Sequence, residues 1–446
     1  MEARGDRPRR FLIDCSDTYA GRTRTGIQRL VRNIVRHSPA AGAALGVEAQ
    51  PVVFRYGRFY EVDWRPPDDA AWSASCAARA SEVARWLAPW RESLGWRAAA
   101  CAARRLRKIF YPRSLVRLAS RGWWALAGRP LSVRPGDVLL LPDHVAHMGL
   151  AAAAERARQA GARIVLTLHD LIAVSHPQFF QESTARQFRS WLTAIFPHLD
   201  AIVAISQTTC REARRLMQEE PAFAGVPCDW FRLGTRLDMA HANGFVRREL
   251  RRHFGGDGPA PYLCVCTFEP RKNHALLLDA WDILWRSHPR AQLCLAGRVG
   301  WKCEGLLERI RRHPRWRQEL HVFHDLSDTE LDYCYRHAKA FVFPSLVEGF
   351  GLPLAEALQY GLRVLASDTP VHREVGGTFC AYFPPDDARR LAALLAAVES
   401  GRPFEGVRAA AEFTPTDWHD STRELLERSL QLLERPRVTR REAAAA

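Results

Sequence analysis

The chemistry of this 446-residue chain concentrates in two short stretches of its second half. Glu348 and Glu356 stand eight positions apart, around Gly349, Phe350, Gly351 and Leu352. Carboxylates accept charge-assisted hydrogen bonds, which suits sugar or ribose hydroxyls. The two glycines let backbone approach a ligand closely. A helix expected from Pro353 to just before Gly361 would aim its free N–H groups and positive dipole end into the same space, a geometry that attracts phosphate. The other stretch is "FEPRKNHALLLDAW". There Arg271 and Lys272 precede Asn273, a residue type suited to cap a helix that carries Leu276, Leu277, Ala280 and Trp281. Two cations beside a helix N-terminus form an anion site. Each feature also has an ordinary explanation. Gly-x-Gly loops often follow strands, glutamates near helix starts can serve as dipole partners, and surface cations are usually solvated. Lysine usage argues against the last, because only Lys108, Lys272, Lys302 and Lys339 break the arginine default among 64 basic residues.

The elements that must position these residues follow from apolar patterning. Short buried-type strands are expected at Tyr262–Thr267, Gln292–Ala296, Ala340–Pro344 and Arg363–Ser367, with Glu374, Gly376 and Gly377 closing a loop. The first half repeats the scheme at Arg10–Cys15, Val138–Leu141, Arg163–Leu168 and Ala201–Ile205. Between the first two, Thr25 is expected to cap a helix whose Ile27, Leu30, Val31, Ile34 and Val35 form one apolar stripe, with Gly21 and Gly26 able to admit a ligand. Strands alternating with helices predict parallel sheets, whose ligands gather at the C-terminal strand ends. His169 sits at such an end, as a ligand contact or as a structural partner. Chain breakers between about 223 and 261 mark the boundary between the two series. Thr414, Pro415 and Asp417 read as the start of a terminal helix bearing Leu425, Leu426, Leu430 and Leu433.

The net charge of +15 is concentrated in part between Arg91 and Arg129, where nine arginines and one lysine face the single acid Glu92 among interleaved tryptophans. That pattern suits an anionic lipid surface or nucleic acid, and equally a solvated helical insertion. No run is long and apolar enough for a transmembrane helix, and the N-terminus lacks an apolar signal core. The eleven cysteines show no metal-ligand spacing and read as core residues of a reducing cytoplasm.

"EGFGLPLAEAL", "RVLASDTPVHREVGG" and "EPRKN" resemble the retaining glycosyltransferases of family 4, with "TGIQR" and the "HD" at His169 and Asp170 adding to the likeness. The first of these looks like that family's E-x7-E motif. The resemblance implies an α/β protein of GT-B fold: two facing Rossmann-like domains with parallel sheets, and a C-terminal helix crossing back to the first. The expected boundaries are 1–240 for the acceptor side, with the basic insertion at about 66–130, 255–412 for the nucleotide-sugar side, and 413–435 for the returning helix. By the same resemblance, Arg271 and Lys272 neutralise the donor diphosphate and Glu356 holds the ribose. Glu348, with the backbone of Gly349, Phe350, Gly351 and Leu352, orients the sugar. His169 lies near the reacting carbon, and Gly26 faces the diphosphate. The expectation is a metal-independent, retaining hexosyltransferase with no cofactor, using GDP-mannose first and a UDP sugar second. Its acceptor would be a glycan or lipid-linked oligosaccharide of cell-surface polysaccharide or lipopolysaccharide synthesis. A cytoplasmic site, peripheral on the inner membrane face, and no nucleic-acid partner go with it. The rival readings are a sugar-nucleotide epimerase of the same architecture and a basic nucleic-acid-binding protein. A dinucleotide-dependent oxidoreductase is disfavoured because "EGFGLPLAEA" lacks the third glycine of G-x-G-x-x-G.

Overall fold

The structure is a computed structural model that describes residues 10–20, 26–62, 64, 129–143, 148–237, 244–256 and 258–435. The chain divides into two compact units, Met1–Gln50 with Val133–Ala446, and Pro51–Ser132. Thr25 and most of the basic insertion lie outside the described residues.

The chain opens with strand β1 (Arg10–Asp14), followed by β2 (Glu48–Arg55), β3 (Arg58–Glu61) and β4 (Arg129–Leu131). Strands β2, β3 and β4 pair antiparallel within the smaller unit. This hairpin was not expected from the sequence. Its turn is made by Tyr56 and Gly57, both at positive φ, which is the backbone of a tight two-residue hairpin turn.

In the larger unit, β1, β5 (Val138–Leu141), β6 (Arg163–Leu168), β7 (Ala201–Ala204) and β8 (Cys228–Trp230) pair side by side, all parallel. A second sheet of the same unit has the order β11-β10-β9-β12-β13-β14 and is also parallel throughout. Its strands are β9 (Tyr262–Val265), β10 (Leu293–Ala296), β11 (Leu320–Phe323), β12 (Ala340–Phe343), β13 (Val364–Ser367) and β14 (Cys380–Phe383). Every residue of β5, β7, β10, β12 and β13 is buried. Runs such as "VLLL" and "AFVF" therefore lie in sheets covered on both faces, which is why they are continuous rather than alternating.

The Gly26–Ala44 helix buries Leu30, Val31, Ile34 and Val35, the stripe read from the sequence. The terminal helix Trp418–Leu433, capped by Asp417 (His419 N–H to Oδ1, 2.8 Å), packs against it. Trp418 fixes the return. Its indole lies so close to Gly234 that a Cβ there would come within 2.3 Å of the ring. Its Nε1 donates to the Arg236 carbonyl at 2.8 Å.

Local departures from the sequence reading have plain causes. Asn273 stands at the N-cap position of its helix, as expected, but its side chain makes no capping hydrogen bond. It adopts a left-handed backbone (φ 56°), and its side chain donates to the Pro385 carbonyl at 2.8 Å. Residues read as a loop around Glu374 form a short helix, Pro370–Gly376, because Thr369 caps it and Pro370 opens it. The breaker-rich linker also holds the helix Arg248–Phe254. Among the described residues, no helix is long and apolar enough to cross a membrane.

Candidate functional site

The loop after β9 folds into one tight turn, Pro270–Lys272, and delivers Arg271 and Lys272 to the loop after β12. The two loops are tied by backbone, with Leu346 N–H donating to the Arg271 carbonyl at 2.8 Å. Their side chains then converge on Glu348. Arg271 Nη1 donates to Glu348 Oε2 at 2.7 Å and to the Val347 carbonyl at 3.1 Å, and Lys272 Nζ donates to Glu348 Oε1. Glu269 pairs with the other side of Arg271 at 2.7 Å.

Burial alone would raise the Glu348 carboxyl. The Lys272 and Arg271 charges outweigh it and hold the group well below the usual carboxylate range. The same contest runs in reverse at Arg271, where burial opposes the charge but Glu348 and Glu269 keep its pKa above the ordinary value. Glu348 and Arg271 are therefore held ionised, whereas burial raises the Glu269 carboxyl in spite of Arg271 and Lys272 beside it. The cluster is not saturated, since Arg271 Nε and Glu269 Oε2 are buried with no hydrogen-bond partner. Unmet polar atoms in a buried charged cluster are places where a ligand can bind.

Gly349 shows why the loop is glycine. A Cβ there would lie 2.3 Å from the His169 carbonyl oxygen and 3.1 Å from Asp170 Cβ. The loop thus abuts the strand end of β6 in the first sheet. It is clamped there by Ser206 Oγ and Thr209 Oγ1, which donate to the Gly349 carbonyl at 2.8 and 3.2 Å. Glu374 adds a second clamp by accepting from Gln207 N–H (2.6 Å), Thr208 N–H (2.8 Å) and the Thr208 hydroxyl (2.7 Å).

Gly351 precedes the helix Leu352–Gln359 with φ of +100°, a backbone that side chains rarely adopt. Beside it lies His372, wholly buried, with Nδ1 on the Ser367 carbonyl at 2.9 Å and Nε2 without a partner. Gly26 starts its own helix against Leu352, with 3.6 Å from a notional Cβ to Leu352 Cδ1.

Glu356 is buried one turn into the helix and is held on two sides. The Tyr335 hydroxyl donates to Oε2 at 2.9 Å, and Arg29 Nη2 donates to Oε1. His169 is buried with Nε2 on the Pro142 carbonyl at 2.8 Å, and burial lowers its pKa to about 4. It is a neutral imidazole at the edge of the glycine loop.

The sequence reading named Arg271, Lys272, Glu348, Gly349, Gly351, Glu356, His169 and Gly26, and all lie in this neighbourhood. It missed Arg29, Tyr335, Glu269, Ser206, Thr209 and His372. Arg29 ends the quoted "TGIQR", and a signal was therefore present. Tyr335 sits on a surface-type helix pattern with no local mark.

One group of atoms has the character of metal ligands. Cys264 Sγ lies 3.7 Å from Cys266 Sγ, which lies 3.4 Å from His274 Nε2. All three are buried and the His274 ring stacks on Phe268, and the core reading of these cysteines agrees with their packing. His274 Nδ1 has no partner, whereas ligating imidazoles almost always donate that second nitrogen's hydrogen.

Residues 246–411 match the family of glycosyl transferases group 1. The chain is similar to HepE of Anabaena, solved with UDP and glucose, with a TM-score of 0.55 at 13% identity over 95% of this chain and 99% of that one. The likeness shows the fold, which is GT-B. In sequence the chain is homologous to the serotype-specific mannosyltransferase WbdA of Escherichia coli, 30% identical over 284 residues, 61% of this chain and 35% of WbdA. It is 28% identical to the O-antigen chain mannosyltransferase B of Escherichia coli, over 58% of this chain and 68% of the relative. It is 35% identical to RfbU of Salmonella typhimurium, an O-antigen chain mannosyltransferase, over 50% of this chain and 57% of the relative. The chain thus spans about a third of the length of WbdA.

Proposed function

We propose that this chain is a hexosyltransferase that moves mannose from GDP-mannose onto a glycan or lipid-linked acceptor in O-antigen or related polysaccharide synthesis. The observation that carries this reading is the convergence of Arg271, Lys272 and Glu348 beside a glycine-lined helix start. The mannosyltransferase relatives supply the sugar and the setting.

The proposed chemistry is transfer with retention. The bond from the anomeric carbon to the diphosphate oxygen breaks, a new bond to the acceptor oxygen forms, and the acceptor proton passes to the departing phosphate oxygen. Arg271 and Lys272 stabilise the charge that grows on the leaving nucleoside diphosphate, the usual largest single contribution to such catalysis. Glu348 takes sugar hydroxyls, together with the backbone from Gly349 to Leu352. Glu356 takes the ribose. His169, kept neutral by burial, faces the sugar as a hydrogen-bonding group. No metal and no cofactor enter this scheme. Work at the inner face of the membrane is part of the same proposal, and the basic tryptophan-rich insertion proposed to mediate it lies outside the described residues.

The test is direct. The purified chain is incubated with GDP-mannose, GDP-fucose, UDP-glucose and UDP-N-acetylglucosamine, each with and without a mannose-terminated oligosaccharide acceptor, and products are read by mass spectrometry and anomeric NMR. An acceptor heavier by one hexose, α-linked, only with GDP-mannose is the expected result. Donor isomerised without acceptor would point to the epimerase. No product and no nucleotide binding with any donor would refute the reading.

A further inference from the structure

Among the described residues, Arg271, Lys272 and Arg29 are each bonded to a carboxylate. Arg271 and Lys272 are bonded to Glu348, Arg271 also to Glu269, and Arg29 to Glu356, so the three cations meet three carboxylates. Asp170 adds a further negative charge felt by Arg271. A nucleoside diphosphate brings at least two negative charges to this cluster. It can be held there where cations exchange their carboxylate partners for phosphate.

Glu356 is the weak point of this pairing. Tyr335, on the helix Asp328–His337, fixes one of its oxygens. The other oxygen is taken by Arg29, which comes from the first sheet's Gly26–Ala44 helix. That side chain is 31% exposed while Glu356 is 4% exposed, so the arginine is the partner with room to move. A ribose hydroxyl that reaches Glu356 displaces Arg29. The helix carrying Arg29 begins at Gly26, against Leu352 at the helix mouth proposed to receive the diphosphate. A guanidinium released one turn into that helix remains within the same neighbourhood, and its planar fork suits phosphate.

We infer that Arg29 is a third cation for the donor diphosphate, parked on Glu356 until the donor's ribose takes its place. The inference rests on the proposed nucleotide-sugar reading and adds a contact from the first sheet to it. It makes donor binding an exchange: ribose for Arg29 on Glu356, and phosphate for Glu356 on Arg29.

Calorimetric binding to GDP and to guanosine separates the possibilities in the wild-type chain, Arg29→Ala and the size-conserving Arg29→Gln, with thermal melting to confirm folding. Both variants should bind GDP more weakly by about tenfold to a hundredfold, the worth of one charge-assisted hydrogen bond. Guanosine, which lacks phosphate, should bind them as well as or better than wild type, because Glu356 is freed. GDP affinity unchanged or improved would mean that Arg29 only neutralises Glu356, and equal losses for GDP and guanosine would mean a structural role. Either result overturns the inference. A wild-type chain that binds no nucleoside diphosphate would instead remove the proposed function beneath it.

Discussion

The two sheets bring titratable groups to their C-terminal strand ends, and one carboxylate on the second, Glu348, is treated unlike Asp14 and Asp143 on the first. At Glu348, on the second sheet, burial is met by counter-charge, whereas burial still raises Glu269 and lowers His372 on that sheet. Glu348 is held well below the usual carboxylate range because Lys272 and Arg271 outweigh desolvation. In the first sheet burial goes largely unopposed. Asp14, at the end of β1, is pushed up to about 8 by burial, with Ser16 pulling it back through its hydroxyl and its backbone N–H. Asp143, just after β5, is raised to about 6 by burial, although Thr18 donates to it from N–H (2.6 Å) and Oγ1 (2.9 Å). His169, just after β6, falls to about 4 for the same reason. Burial in a low dielectric disfavours the charged form of an ionisable group. The second sheet thus holds one locked carboxylate between two cations, and the first offers hydrogen bonds from groups that shed their charge. That division fits a diphosphate leaving group on the second sheet and acceptor hydroxyls on the first.

The contrast predicts where substitution hurts most. Lys272→Ala removes one of the two cations assigned to the leaving diphosphate. Turnover should fall by about two or more orders of magnitude, in the range seen for losing one such stabilising donor. Initial rates with GDP-mannose measure it, and near-normal turnover would take Lys272 out of the mechanism. Glu348 would then be left with Arg271 alone, and the locked-charge side of the contrast would lose its meaning.

The contact between the sheets comes next in size. Gly349→Ala places a Cβ 2.3 Å from the His169 carbonyl, backbone against backbone, with nothing flexible to yield. The loop or the His169–Asp170 segment must move, at a cost of about 1–3 kcal/mol in stability. Activity should drop along with the melting temperature. A variant that melts like wild type and transfers mannose normally would show that the two strand ends need not touch.

Legibility in the sequence followed the same divide. The second sheet's site was readable because its residues are near neighbours in sequence. The Arg271–Lys272 pair, the Gly349–Gly351 loop and the carboxylates eight apart fall within two short stretches, each after an apolar strand. The first sheet's contributions are single residues at separate strand ends. Asp14 and Asp143 are 129 positions apart, and their likeness is a matter of shared burial, which no local pattern encodes. Arg29 and Tyr335 meet Glu356 only because three elements distant in sequence pack together. The β2–β3 hairpin was missed for a different reason: its turn residues, Tyr56 and Gly57, do not form one of the strong hairpin pairs such as Asn-Gly. The capping hydrogen bond expected of Asn273 is not made because Asn tolerates the left-handed backbone, an alternative to capping that its type alone does not resolve.

The remaining predictions test the neutral side through stability alone, and they have opposite signs. For His169 the folded pKa is about 4 against an ordinary 6.5. Below 6.5 the unfolded chain takes up a proton that the folded chain refuses. Wild-type stability therefore falls as pH drops from about 6.5 to 4, by up to about 3 kcal/mol from this group. His169→Gln, which can still donate to the Pro142 carbonyl, should lose that slope and gain on wild type as the medium is acidified. For Asp14 the folded pKa is about 8 against an ordinary 3.8. There the folded chain keeps a proton that the unfolded chain releases, and stability falls as pH rises from about 4 to 8. Asp14→Asn preserves an acceptor for the Ser16 hydroxyl and should gain on wild type as the medium is made alkaline. Urea unfolding of the three proteins from pH 4 to 8 reads both differences. Two parallel, pH-independent offsets would show that neither group is neutralised by the fold, and the contrast between the sheets would reduce to one of residue type.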